Sequence, residues 1–339
     1  MKHIPSDEEL VPRIMAAVRG VSVDEYLNSK NIPQKPKMLI SFSGGRTSAM
    51  MTKWLLDHKS NEYDFLVVFA NTGHEREATL EFVNNCDIHF GFNTVWVEAV
   101  FSKGGTRAKV VDYNTAYRNI KKNGIDPFEA MIAKHGMPNM NNPHCSRDLK
   151  KYAINALCRS IGWKAKTYLT ALGIRSDETK RLNWERAKKE MILYFAQLGT
   201  ITKEMVNKWW SQQPFDLQLK SFEGNCILCW KKSFRKLYTL IIEGIKSNDI
   251  EIIAEIAWLQ MIQEKYGRYV PATRIKQDKG KEIHMFRGEK SITDLIEESD
   301  GFIDFAIDES NLVIDAIQMA MWDNELDGNA GCVESCEAL

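Results

Sequence analysis

Over the first two hundred residues, short apolar runs alternate with segments whose apolar positions recur every three or four residues. Residues 38–43 form the first run and predict a strand, and the helix formers after it predict a helix to about Asp57. DFLVVFAN (64–71) is almost continuously apolar, the pattern of a strand covered on both faces. ATLEFVNNCDIHFG (78–91) reads as a helix, NTVWVEAVF (93–101) as a strand, AINALCRSIGW (153–163) as a helix and KTYLTALGI (166–174) as a strand. Strands alternating with helices require right-handed crossovers, so the fold class is α/β, a mainly parallel twisted sheet with helices on both faces. The polar stretch 106–143 breaks the pattern and reads as an insertion or lid over the carboxyl edge of the sheet.

Beyond about Arg181 the strand pattern stops. ITKEMVNKWWSQQPF places Thr202 as the N-cap of a helix that ends before Pro214. CILCWKKSFRKLYTLIIEGIKS and IEIIAEIAWLQMIQEKYG read as amphipathic helices, and NLVIDAIQMAMW as a last short one. Four regions follow: an N-terminal helical extension (1–35), an α/β body (36–200), a helical C-terminal region (201–290) and an acidic tail (291–339).

Composition adds charge to this picture. The chain of 339 residues has 45 basic and 45 acidic side chains, but 13 of the acids lie in the tail, which has no Lys or Arg. The first 290 residues therefore carry 45 basic against 32 acidic residues, a body able to attract nucleotides or a nucleic-acid backbone, or simply a surface balanced by its own tail. There is no apolar run of membrane-spanning length, and the acidic N-terminus is unlike a signal peptide, so a cytoplasmic location is expected. Seven scattered cysteines do not suggest a disulfide framework, and clustered thiols point to metal or sulfur chemistry.

Candidate chemistry begins with SFSGGRTSAMM. Ser43, Gly44, Gly45, Arg46, Thr47 and Ser48 lie between a strand and a helix, where a glycine turn brings backbone N–H groups and a helix N-terminus to an anion. The Walker spacing is absent. With FANTGHEREATLEFV, PHCSRDLKKYAI, ALGIRSDETKR and QPFDLQLKSFEGNCILCWKK, this loop resembles the PP-loop ATP pyrophosphatases. That group includes the phosphoadenosine phosphosulfate (PAPS) reductase-like proteins, and these motifs are most similar to its phage-carried members. They cover residues 38–232. Two positions depart from the pattern: Glu77-Ala78-Thr79 stands where the family has Pro-Glu-Thr, and Thr47 where it has a charged residue.

The resemblance implies an adenine nucleotide alpha hydrolase-like fold and a set of roles. Ser43–Ser48 would hold ATP phosphates with Mg²⁺; Asn71, Thr72 and Gly73 would line the adenosine pocket; Gly173 and Arg175 would contact nucleotide or substrate. Arg147 and Lys150 would be further anion ligands. Arg46, Lys150 and Arg175 are the candidate catalytic residues. Cluster-bearing reductases have a tandem Cys-Cys followed some eighty residues later by C-x-x-C. Here His144-Cys145 precedes Cys226-x-x-Cys229, with Cys226 81 positions after Cys145. A [4Fe–4S] cluster on Cys145, Cys226 and Cys229 with His144 or an outside group, a zinc ion on the same four residues, and unligated thiols all stand open. Cys86 and Cys158 read as buried filler, and ESCEAL around Cys336 as an auxiliary tail rather than a nucleophile. Trp209-Trp210 reads as core packing, with helical spacing burying one of the two and exposing the other. The basic run 231–236 reads as counter-charge for a cluster, a phosphate contact or a solvated face.

The expected activity is adenylation of a substrate by ATP with pyrophosphate release, coupled to sulfur transfer at the cysteines. DNA or tRNA is a candidate acceptor, and a sulfur donor protein a candidate partner. A sulfonucleotide reductase forming sulfite and a non-catalytic nucleotide-binding protein with structural zinc are the alternatives. Oligomeric state stays open.

Overall fold

The computed structural model describes residues 7–19, 21–28, 35–271 and 280–310. A six-stranded sheet lies at its centre: β1 (Lys37–Ser41), β2 (Asp64–Asn71), β3 (Val95–Ser102), β4 (Gly105–Val111), β5 (Tyr168–Leu172) and β6 (Ile192–Tyr194), in the order β4-β3-β2-β1-β5-β6. All neighbours are parallel except β3 and β4. From β1 the chain moves outward through β2 and β3, then returns to β5 on the other side. The switch point of the topology therefore lies at the carboxyl ends of β1 and β5, the place where open α/β sheets bind ligands.

Period-two alternation sends successive strand residues to opposite faces. Leu39, Leu66, Val68, Val97 and Ala99 face one core, joined by α1 (Asp7–Arg19), α5 (Pro127–His135), α6 (Tyr152–Ser160), α9 (Phe234–Lys246), α10 (Ile250–Tyr266) and α11 (Ile292–Ser299). Met38, Ile40, Phe42, Val67, Phe69 and Trp96 face the other, against α3 (Arg46–Lys59), α4 (Glu77–Phe90) and α8 (Lys203–Trp210). The helices α2 (Val23–Asn28) and α7 (Trp184–Glu190) complete the set. The C-terminal helices thus share a core with the α/β body. Burial on both faces explains the unbroken apolar run of β2.

Three expectations shift. The first strand ends at Ser41: the Phe42 N–H makes the last bond to β2, at the Val68 carbonyl, and also turns back to the Ile40 carbonyl. The stretch 106–143 is not only an insertion: its first residues form β4, pairing from Trp96↔Val111 to Ser102↔Gly105. That strand alternates cations and small residues on an exposed edge, so apolar periodicity does not reveal it. The C-x-x-C segment lies outside α9, which begins at Phe234 with the Ser233 hydroxyl accepting from the Lys236 N–H. Thr202 caps α8 as expected, accepting from the Met205 N–H. NLVIDAIQMAMW, Cys332 and Cys336 lie outside the described residues.

Candidate functional site: the sheet edge at the switch point

Ser43, Gly44 and Gly45 join β1 to α3, and Gly44 has φ +81°, a region that disfavours any residue with a Cβ. A Cβ there would also lie 2.8 Å from Thr79 Cγ2 and 3.0 Å from the Phe69 ring. The Ser43 and Ser48 hydroxyls sit 2.8 Å apart, and Ser48 Oγ donates to the Gly45 carbonyl. From β5, Gly173 comes so close that a Cβ would stand 2.7 Å from Ser48 Cα. Buried Arg175 then reaches back across the edge, donating to Thr47 Oγ1 at 3.2 Å and to Asp177 at 2.9 Å. The glycine loop, Gly173 and Arg175 are therefore brought together by the sheet.

The loop after β2 is built by a carboxylate that sequence reading overlooked. Glu75 accepts from the backbone N–H groups of Thr72 (3.0 Å) and Gly73 (3.1 Å) and from Thr72 Oγ1 (2.8 Å). Lys150 Nζ lies 3.8 Å from the same carboxylate. Asn71 is fully buried and spends its amide on Glu98 and the Tyr117 carbonyl, which makes it a brace of this loop rather than a pocket wall.

Two predicted phosphate ligands point elsewhere. Arg46 makes a two-pronged ion pair with Asp216 (2.7 and 2.5 Å) and also donates to the carbonyls of Leu217 and Ser310. Arg147 is half exposed, pairs with Asp148 at 2.8 Å and lies over the Tyr152 ring. The glycine loop itself is covered: Asn225 donates to the Ser43 carbonyl at 2.6 Å, and Trp210 Nε1 donates to the Arg46 carbonyl at 2.9 Å.

Cys145, Cys226 and Cys229 line one small cavity of 40 Å³ together with Thr72, His74 and Lys150. The C-x-x-C turn reaches this place because Cys226 bridges Glu75 and because Arg76 and Ile227 exchange backbone bonds with Asn225 and His74. Lys232, from the basic run, is buried and donates to the carbonyls of Cys226 and Ile227, shaping the turn from within. His144 stands outside the cavity wall. Its Nε2–H donates to the Gly136 carbonyl at 3.0 Å, its Nδ1 is buried with no hydrogen-bond partner, and burial drives its pKa down to about 4. Among the described residues no three His, Cys, Asp or Glu side chains converge to hold a metal ion. His144 thus stands apart from Cys145, Cys226 and Cys229, which the fold brings to one cavity.

The cavity's far wall holds a network whose partners no motif predicts. His74 Nδ1–H donates to Glu255 at 2.7 Å and Nε2–H to Asp126 at 3.2 Å, with the Trp258 ring centroid 4.0 Å from the imidazole. Trp258 Nε1 donates to Asp126 and Asn119 to Glu255. Burial opposes the imidazolium, but the Glu255 and Asp126 carboxylates outweigh it and hold the pKa up at about 10. These residues are 52 and 181 positions from His74 in the chain, so only the fold assembles them. Cys86 and Cys158 are buried in the two cores, and burial raises both thiols, Cys158 to about 11.

Among the described residues no helix is long and apolar enough to cross a membrane. No protein-family model matches the chain. It is 32% identical over 264 residues, 75% of its own length and 82% of the relative's, to the uncharacterized nin region protein ORF290 of Escherichia phage lambda. At that identity and coverage the chain belongs to the family of this phage nin-region protein.

Proposed function

We propose that the protein binds ATP at the glycine loop and transfers AMP to an acceptor oxygen with release of pyrophosphate, in the manner of the PP-loop enzymes its motifs resemble. The supporting observation is the meeting of three strand ends at the switch point: the glycine loop after β1, the Thr72-Gly73 turn after β2, and Gly173 with Arg175 after β5. Backbone N–H groups at the start of α3 and the Ser43 and Ser48 hydroxyls would receive phosphate oxygens, and Mg²⁺ would enter with the nucleotide. Arg175 and Lys150 would offset charge developing at the α-phosphorus and the departing pyrophosphate. The cavity beside Thr72 and Lys150 is lined by three thiols, which suits a persulfide received on one cysteine from a sulfur donor. Its terminal sulfur would attack the adenylated carbon and expel AMP. A second cysteine would then attack the resulting mixed disulfide, closing a Cys–Cys disulfide and leaving the sulfur on the acceptor. Because Asn225 and the segment around Asp216 cover the loop, ATP entry requires that segment to move.

Pyrophosphate release from ATP, read with a pyrophosphatase-coupled phosphate assay, tests the proposal. The wild type should release pyrophosphate and AMP, and Arg175→Met and Lys150→Met, assayed well below the melting temperature measured for each variant, should each lower the rate by about 100-fold. Release of ADP and phosphate, or sulfite from a sulfonucleotide in place of ATP chemistry, would sink it.

A further inference from the structure

On the sheet face opposite α3, between α6 and α7, lies a groove of 350 Å³ that the proposed ATP chemistry does not use. Its floor is apolar, formed by Leu39 of β1, Tyr168 and Leu172 of β5 and Ile192 of β6. Its rim is cationic: Lys151, Lys166, Arg186 and Lys189 surround a single carboxylate, Glu190. Glu190 serves two of them, Lys151 at 3.2 Å and Arg186 at 3.3 Å, while no carboxylate pairs with exposed Lys166 or Lys189 among the described residues. Four cations against one anion leave three net positive charges around an apolar floor.

We infer that this groove docks a single-stranded nucleic-acid segment, with phosphates on the rim and a base on the floor. A cationic track beside apolar surface is the way single strands are held. The volume suits a ligand of nucleotide size. A duplex keeps its bases stacked inside and cannot offer one to a floor this narrow. An acidic peptide would satisfy the rim but need not carry a flat ring for the floor, whereas every nucleotide does. Two exposed aromatic residues stand on the flanking helices, Tyr152 on α6 and Trp184 on α7, where neighbouring bases could stack. The groove also has the right address. Ser41 and Leu172 in its lining are the last residues of β1 and β5, just before Ser43 and Gly173, and Lys151 follows Lys150. A strand lying here leads to the edge where AMP transfer is proposed, so the inference names the acceptor class and in that respect rests on the adenylation proposal.

The test is fluorescence anisotropy of fluorescein-labelled 15-mer single-stranded DNA and RNA from 50 to 200 mM NaCl, without ATP. The wild type should bind. K166E/K189E should bind at least tenfold more weakly at 50 mM, with the slope of log K against log salt reduced by about 1.4, since each single-strand phosphate contact contributes about 0.7. K166R/K189R should bind as the wild type does. Wild-type binding to neither oligonucleotide, an unchanged affinity and slope in K166E/K189E, or tighter binding of poly-glutamate than of either oligonucleotide would overturn the assignment. ATP affinity is measured separately on the same proteins and should be equal in wild type and K166E/K189E. Absent ATP binding in both would defeat the adenylation proposal while leaving the groove result to be judged on the oligonucleotides.

Discussion

Glu255→Gln probes the buried His74 network most directly, because Gln keeps the shape and an acceptor for His74 Nδ1–H while removing one of two charges facing the imidazolium. The ordinary imidazole value is 6.5 and the folded value about 10. Between these limits the folded protein holds a proton that the unfolded chain has lost. Stability from this site is therefore complete below pH 6.5, declines as pH rises, and is gone above about pH 10. At about 1.4 kcal/mol per pH unit the site contributes at most roughly 5 kcal/mol. Removing one carboxylate of a buried pair while Asp126 remains should cost about 2–4 kcal/mol at pH 7. For a chain of this length that lowers Tm by about 3–6 °C. Urea denaturation of wild type and E255Q from pH 6 to 10.5 reads both effects. The wild type should lose stability steadily above neutrality, and the decline in E255Q should be smaller and end at a lower pH. Superimposable pH dependences between pH 7 and 10 would refute the claim that Glu255 holds the proton on His74.

Three further outcomes are expected. Gly44→Ala combines a left-handed φ with a Cβ 2.8 Å from Thr79 Cγ2, and should cost about 2–4 kcal/mol in urea denaturation; a loss under 0.5 kcal/mol would contradict the tight fit at the loop. Asp216→Ala leaves the largely buried Arg46 guanidinium without its carboxylate and should cost about 1–3 kcal/mol, and a double-mutant cycle with Arg46→Ala should show coupling of the same order. His144, held neutral with a pKa of about 4, lets the unfolded chain take up a proton first on acidification, so stability should fall between about pH 6.5 and 4 by up to roughly 3 kcal/mol. His144→Gln, whose Nε2 can still donate to the Gly136 carbonyl, should flatten that acid limb, as read from urea midpoints at pH 4.5 and 7; an unaltered limb would remove His144 as its cause.

The sequence by itself determined the α/β class, the order of the parallel strands' elements and the place of the glycine loop. These depend on local periodicity, on strand–helix alternation and on a φ that only glycine adopts freely, all carried by neighbouring residues. β2 was legible to the residue because burial on both faces leaves no polar break, whereas β4, a solvent-facing edge strand, left no such trace. What the side chains do was settled by the tertiary structure. Arg46 follows two glycines as a phosphate ligand would, yet Asp216, 170 positions away, takes its guanidinium. His144 stands beside Cys145 in sequence, but the Gly136 carbonyl takes its imidazole while Cys145 lines the cavity. Glu75, His74 and Lys232 lie inside the quoted motifs, but nothing in those motifs names Thr72, Asp126, Glu255 or the Cys226 carbonyl as their partners, because hydrogen-bond and charge partners are chosen by proximity in three dimensions. Burial opposes an imidazolium deep inside the protein, and two carboxylates within hydrogen-bond reach of His74 outweigh it.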